Sequence, residues 1–166
     1  MNVTNEATVI IEREAIRAIL LTPKSEVLLL RIRLPEAMES FWIAPGGGLE
    51  PGEAIEEGLK RELREELGLH EYVIGSLVWR RQHTFNWAGK RICQRERYYI
   101  IHVHHFEPQM SDPNEAKVLD RFRWWPVAEL ANARERLTPL SLAEIVARYL
   151  AHGAPQEPLE VEVLVD

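Results

Sequence analysis

The sequence predicts an α/β protein built on a mixed sheet, and three observations carry that prediction. Short apolar runs rich in β-branched and aromatic residues recur along the chain. A few segments with helical spacing fall between them, which is the pattern of strands mixed with packed helices. At 166 residues the chain has the length of about one domain with a single sizeable core. We therefore expect one domain over 1–166, with its core at about 12–152 and a tail over 153–166.

The runs AIRAILLT (Ala15–Thr22) and EVLLLRIR (Glu26–Arg33), joined by the turn PKS, read as two strands of a hairpin. FWIAP is a further strand-like piece, stopped by Pro45 and three glycines. From Glu53 to Leu67, Ile55, Leu59, Leu63 and Leu67 recur every four residues, which predicts a helix with Gly68 as its stop. YVIGSLVWRRQHTF, RERYYIIHVHHF and RFRWWPV read as strands. PVAELANA and PLSLAEIVARYLAHG read as helices. The tail alternates from Leu159 to Val165, and reads as either a late edge strand or a loose end.

Net charge is −6, with a pI near 5.6. Such a field disfavours holding a nucleic-acid duplex by phosphate neutralisation, while leaving a small phosphorylated substrate open if cations mediate. No run approaches the ~18 apolar residues of a membrane span. The start lacks a basic and apolar leader, and Cys93 is the lone cysteine, so no internal disulfide or cysteine-held metal is expected. A reducing cytoplasm is the simplest location.

The segment PGGGLEPGEAIEEGLKRELREELGL, Pro45–Leu69, concentrates the chemistry. On a helical wheel with Glu62 at zero, Glu65 falls at about 300°, Glu66 at about 40° and Gly58 at about 320°. All four share one side, and glycine leaves bare room there at a cost of roughly 1 kcal/mol. Glu62–Glu65 and Glu62–Glu66 are like-charge pairs that each cost a few tenths of a kcal/mol. A solvated, salt-bridged face accounts for Lys60 and Arg61, but not for Gly58 or the three clustered carboxylates. A hard divalent ion such as Mg²⁺ or Mn²⁺ accounts for both, since it takes oxygen ligands and shares them with substrate phosphates.

Gly47, Glu53, Arg61, Glu62, Leu63, Glu65, Glu66, Gly68 and Leu69 match every position of the Nudix box, and the chain resembles the Nudix hydrolase family. The flanks VLLLRIR, FWIAPGGG and RFRWWPVAEL agree more loosely. The resemblance implies an α/β/α sandwich with a mixed sheet, the box forming a loop–helix–loop. It also implies hydrolysis of a nucleoside diphosphate linked to another moiety. By position, it makes Glu62, Glu65 and Glu66 metal ligands, together with the Gly46 carbonyl. Glu53 would support the site, and Arg61 would orient the glutamates. The general base would be Glu65 or Glu66, or Glu115 from a loop nearer the C-terminus.

Substrate recognition is weakly encoded. Arg31, Arg33, Arg80 and Arg81 are candidates for phosphate contacts, with Trp79, Phe85 or Trp87 for stacking on a base. Against this, alternate strand residues face solvent and tryptophans commonly fill cores. ADP-ribose hydrolases of the family tend to carry a proline about 15 residues after the box, and Glu71–Phe85 has none. A nucleoside triphosphate or another nucleotide derivative is favoured by elimination. The rival class is a nucleotide-sensing module without turnover, against which the intact box speaks. The alternating tail also offers an edge for pairing with a second copy.

Overall fold

The computed structural model describes residues 9–34, 36, 38–111, 113 and 117–165, the side chains of 159–165 excepted. Its strands are β1 (Ile10–Leu21), β2 (Glu26–Leu34), β3 (Glu39–Ile43), β4 (Gly46–Gly48), β5 (Val73–Trp87), β6 (Lys90–His102), β7 (Leu119–Pro126), β8 (Arg136–Thr138) and β9 (Leu159–Val165). The helices are α1 (Ile55–Leu67), α2 (Val127–Leu130) and α3 (Leu142–His152). The sheet runs β8-β3-β2-β1-β6-β5-β9, with β4 also paired to β1 and β7 to β2.

The expected first hairpin exists only at its base. Leu21 lies opposite Val27, and Thr22 N–H donates to the Glu26 carbonyl at 3.0 Å. Beyond that point the strands part. β1 runs parallel to β6 from Ile10 opposite Arg91 to Leu21 opposite His102, while β2 pairs antiparallel with β3 and β7. The sheet is therefore mixed, as expected.

Strand alternation sends successive side chains to opposite faces. Ile16, Ala18, Leu20, Leu28 and Leu30 pack on one face against Leu59, Leu63 and Leu67 of α1. Ile19, Leu21, Val27 and Leu29 pack on the other, with Trp42, Tyr98, Trp125 and Leu142, Ile145 and Val146 of α3. Helices thus cover both faces, giving the α/β/α arrangement. Each α1 leucine is at most 1% exposed, so burial of the leucine stripe rather than helix propensity seats this acidic helix.

Gly68 ends α1 in the left-handed conformation, φ 67°. Its N–H donates to the Arg64 carbonyl at 2.9 Å, and Leu69 N–H to Leu63 at 3.2 Å. The chain after β6 returns across this end, where Gln109 N–H donates to Leu67 and Ser111 N–H to Glu65. The tail pairs as β9, parallel to β5, at the sheet edge. PVAELANA contributes only the single turn of α2.

Candidate active site

The three glycines that read as a stop form β4, antiparallel to β1 with Gly46 opposite Arg17 and Gly47 opposite Ile16. Side chains are excluded here. A β-carbon on Gly46, at φ 137°, would lie 2.0 Å from the Ile16 carbonyl oxygen, and one on Gly47 would lie 2.6 Å from Glu62 Oε1. The bare strand lets the carboxylates of α1 press against the sheet, and Glu62 and Glu66 are each only 5% exposed. Glu66 Oε2 accepts the Gly46 N–H at 3.0 Å. Glu65 is one third exposed at the rim.

Arg61 organises the remainder. Its Nε and Nη2 donate to the two oxygens of Glu53 at 2.9 and 2.8 Å, and Nη2 also donates to the Gly48 carbonyl at 3.0 Å. Nη1 donates to Glu62 Oε1 at 2.8 Å and stands 3.6 Å from Glu65 Oε2. The Arg61 hydrogen bonds, helped by the Glu50 N–H, hold Glu53 down at a pKa of about 2. Glu62 moves the opposite way. Burial pushes its pKa up, and the attraction of Arg61 and Arg17 does not cancel that effect. The room expected beside Gly58 is not open: a β-carbon there would meet Leu49 Cδ2 at 2.3 Å and Glu53 Oε1 at 2.8 Å. Gly58 makes space for the loop that supports Arg61, not for a ligand.

The donor set suits a hard divalent ion. Glu62 Oε2 is buried with no hydrogen-bond partner among the described residues, and a buried anionic oxygen calls for a cation or a proton. Among the described residues no group of three acidic, histidine or cysteine side chains converges on one point. The Gly46 carbonyl accepts Arg17 Nη1 at 2.9 Å.

A cavity of about 420 Å³ opens beside β4, sharing with it Arg17, which donates to the Gly46 carbonyl. Phe41, Phe85 and Trp87 line it, with His83 tilted 5.0 Å from Phe85, and Arg81, Gln94 and Glu96 are its buried polar lining beside the half-buried Arg17. Of the four arginines considered for substrate contacts, only Arg81 lies here, 4% exposed and bonded through Nε to Glu96 at 3.0 Å. Arg31 is engaged by Glu135 at 2.9 and 2.8 Å and by Asp120 at 2.7 Å. Arg33 and Arg80 are exposed. Trp79 is core, 2% exposed and edge-on to Tyr98. Glu115 lies outside the described residues. Arg17 and Glu96 escaped the sequence reading. Arg17 is a charge inside the apolar run AIRAILLT, which is the signal that marks it, whereas Glu96 is flanked by Gln94, Arg95 and Arg97 and carries no such signal in the sequence.

Fold and site together define an α/β/α protein whose acidic loop and helix meet a bare glycine strand, with an aromatic cavity linked to that strand through Arg17. The chain belongs to the Nudix hydrolase family: the NUDIX domain model matches residues 12–149. It is 70% identical over 82 residues to the nucleoside triphosphatase NudI of Escherichia coli, covering 49% of this chain and 57% of that protein. It is 47% identical over 53 residues to the human 8-oxo-dGDP phosphatase NUDT18, covering 32% of this chain and 16% of that one. The chain thus spans little more than half of the first relative and a small part of the second. Among solved structures, the E. coli ORF135 protein matches with TM-score 0.62 at 24% identity, covering 88% of this chain and 96% of its own. The Nudix domain of Shewanella oneidensis NrtR, complexed with ADP ribose, matches with TM-score 0.61 at 19% identity, covering 87% and 90%. No helix among the described residues is long and apolar enough to cross a membrane.

Proposed function

We propose that this chain hydrolyses a pyrophosphate bond in a nucleoside diphosphate derivative, a nucleoside triphosphate foremost, with Mg²⁺ or Mn²⁺ as cofactor. The observation that carries the reading is the unpartnered, buried Glu62 Oε2 beside the glycine strand. The names of the two sequence relatives, a nucleoside triphosphatase and an 8-oxo-dGDP phosphatase, support the substrate class.

Glu62, Glu66 and Glu65 are the residues that would hold the ion. When bound, it supplies positive charge against phosphate oxygens and lowers the pKa of a water. Arg61 keeps Glu62 and Glu53 in place through its fork of hydrogen bonds. Glu66 is held by the Gly46 N–H. Glu65, the most exposed of the three, is the carboxylate that takes the proton of the attacking water. The base sits in the aromatic cavity against Phe85 and Trp87, since any base offers a face for stacking.

A panel of nucleoside triphosphates, diphosphates, ADP-ribose and dinucleoside polyphosphates, assayed with Mg²⁺ or Mn²⁺ and with chelator, tests the reading. Metal-dependent release of phosphate-bearing products is expected, strongest for triphosphates. Tight binding without turnover across the panel contradicts it.

A further inference from the structure

Reading the α1 glutamates as the reaction site leaves a buried charged group below the cavity without a task. Glu96, in the middle of β6, is 1% exposed. Its Oε2 accepts Arg81 Nε at 3.0 Å and the Tyr98 hydroxyl at 2.5 Å, and lies 2.7 Å from Arg81 Nη2. Its Oε1 accepts Gln94 Nε2 at 2.5 Å and lies 3.7 Å from Arg17 Nη2. Burial presses its pKa upward, yet Arg17, Arg81, Tyr98 and Gln94 hold it below the ordinary carboxylate value. It is an anion within the sheet.

Arg17 points away from Glu96 with its other nitrogen. Nη1 donates to the Gly46 carbonyl at 2.9 Å and to the Ala44 carbonyl at 3.3 Å. The Gly46 N–H meanwhile donates to Glu66 Oε2. One glycine is thus gripped twice, by Arg17 on its carbonyl and by Glu66 on its amide. A well-packed apolar trio would hold the strands together as well as these buried charges do. The charges therefore need a task that packing cannot perform. A guanidinium performs one: through Nη1 it joins two carbonyls, while Nη2 stands at ion-pair distance from the Glu96 carboxylate.

We propose that Glu96 is a positioning residue for Glu66, acting through Arg17 and Gly46. The cavity lining and the reaction site form one connected unit: Glu96 fixes Arg17, Arg17 fixes the Gly46 peptide, and Gly46 fixes the carboxylate of Glu66. The inference rests on Glu66 serving the hydrolysis proposed above.

Steady-state kinetics of the full chain carrying Glu96→Gln or Arg17→Lys, beside Glu66→Gln, test this. Amide exchange at Gly46–Gly48, measured without metal or nucleotide, gives a readout independent of turnover. Outer partners of this kind are expected to lower kcat about ten- to a hundredfold. KM is expected to move less than about threefold, because Phe85 and Trp87, against which the base is placed, are unchanged in both variants. The Gly46–Gly48 amides should exchange faster while α3 is unchanged. Wild-type kcat and exchange in both variants, with Glu66→Gln inactive, overturn the positioning role. A raised KM at unchanged kcat overturns it too, placing Glu96 in substrate binding. An active Glu66→Gln overturns the functional reading beneath it. Should Glu96→Gln fail to fold, Arg17→Lys keeps a cation opposite Glu96 and decides the matter by itself.

Discussion

Gly47 and Glu62 meet with no side chain between them: a β-carbon on Gly47 would stand 2.6 Å from Glu62 Oε1 and 2.8 Å from its Cδ. The neighbouring Gly46 is bare for a different reason, since its β-carbon would strike the Ile16 backbone at 2.0 Å. One glycine serves a carboxylate and the other serves the pairing of β4 with β1. The two positions therefore respond differently to the same substitution.

Gly47→Ala moves a side chain, which swings cheaply. We expect a melting temperature near wild type and a turnover lowered by about a hundredfold, the usual consequence of an ångström-scale misplacement. Gly46→Ala moves backbone at a φ of 137° and is expected to cost roughly 2–4 kcal/mol. Thermal melts with turnover assays separate the two. Equal loss of stability in both variants contradicts the assignment.

Glu53 ties pH to stability. Its carboxylate is held at about 2 in the fold, against an ordinary 4.5, by Arg61 first and the Glu50 N–H second. A depressed carboxylate contributes stability that is complete above its unfolded value and is lost as pH falls from about 4.5 toward about 2. Glu53→Gln should flatten the melting curve against pH within that window and leave its slope unchanged above it. Parallel curves for variant and wild type would dismiss the coupling.

The aromatic wall has its own signature. Trp87 is 64% exposed at the mouth of the cavity. Base–aromatic stacking contributes about 1–3 kcal/mol, so Trp87→Ala should raise KM by about 5- to 150-fold with little change in kcat. Nucleotide binding should also quench the fluorescence of this tryptophan. An unchanged KM would take the base out of the cavity.

The parts legible in the sequence were those set by local pattern. Leucines four apart announced α1, and the spacing of its glutamates announced a face with too much charge. What partners decide was not legible. β4 has no strand-forming residue and exists because only glycine fits beside Ile16 and Glu62. β8 is three residues long and is set by its pairing with Phe41–Ile43. Gly58 suggested an opening, which Leu49 and Glu53 fill. Arg31 looked available for phosphate, but Glu135 and Asp120, about a hundred and about ninety residues away, engage it. Arg17 and Glu96 read as ordinary charges because their pairing crosses the sheet rather than the sequence.

The buried Glu62 oxygen beside β4 is the centre of the proposed reaction site. Phosphorus NMR of a nucleoside triphosphate with Mg²⁺, comparing the wild-type chain with a folded Glu62→Gln variant, addresses it most directly. Conversion to monophosphate and pyrophosphate by wild type, abolished both by chelator and by the substitution, is the expected result. Hydrolysis at the wild-type rate in Glu62→Gln, or without divalent ions, would contradict it.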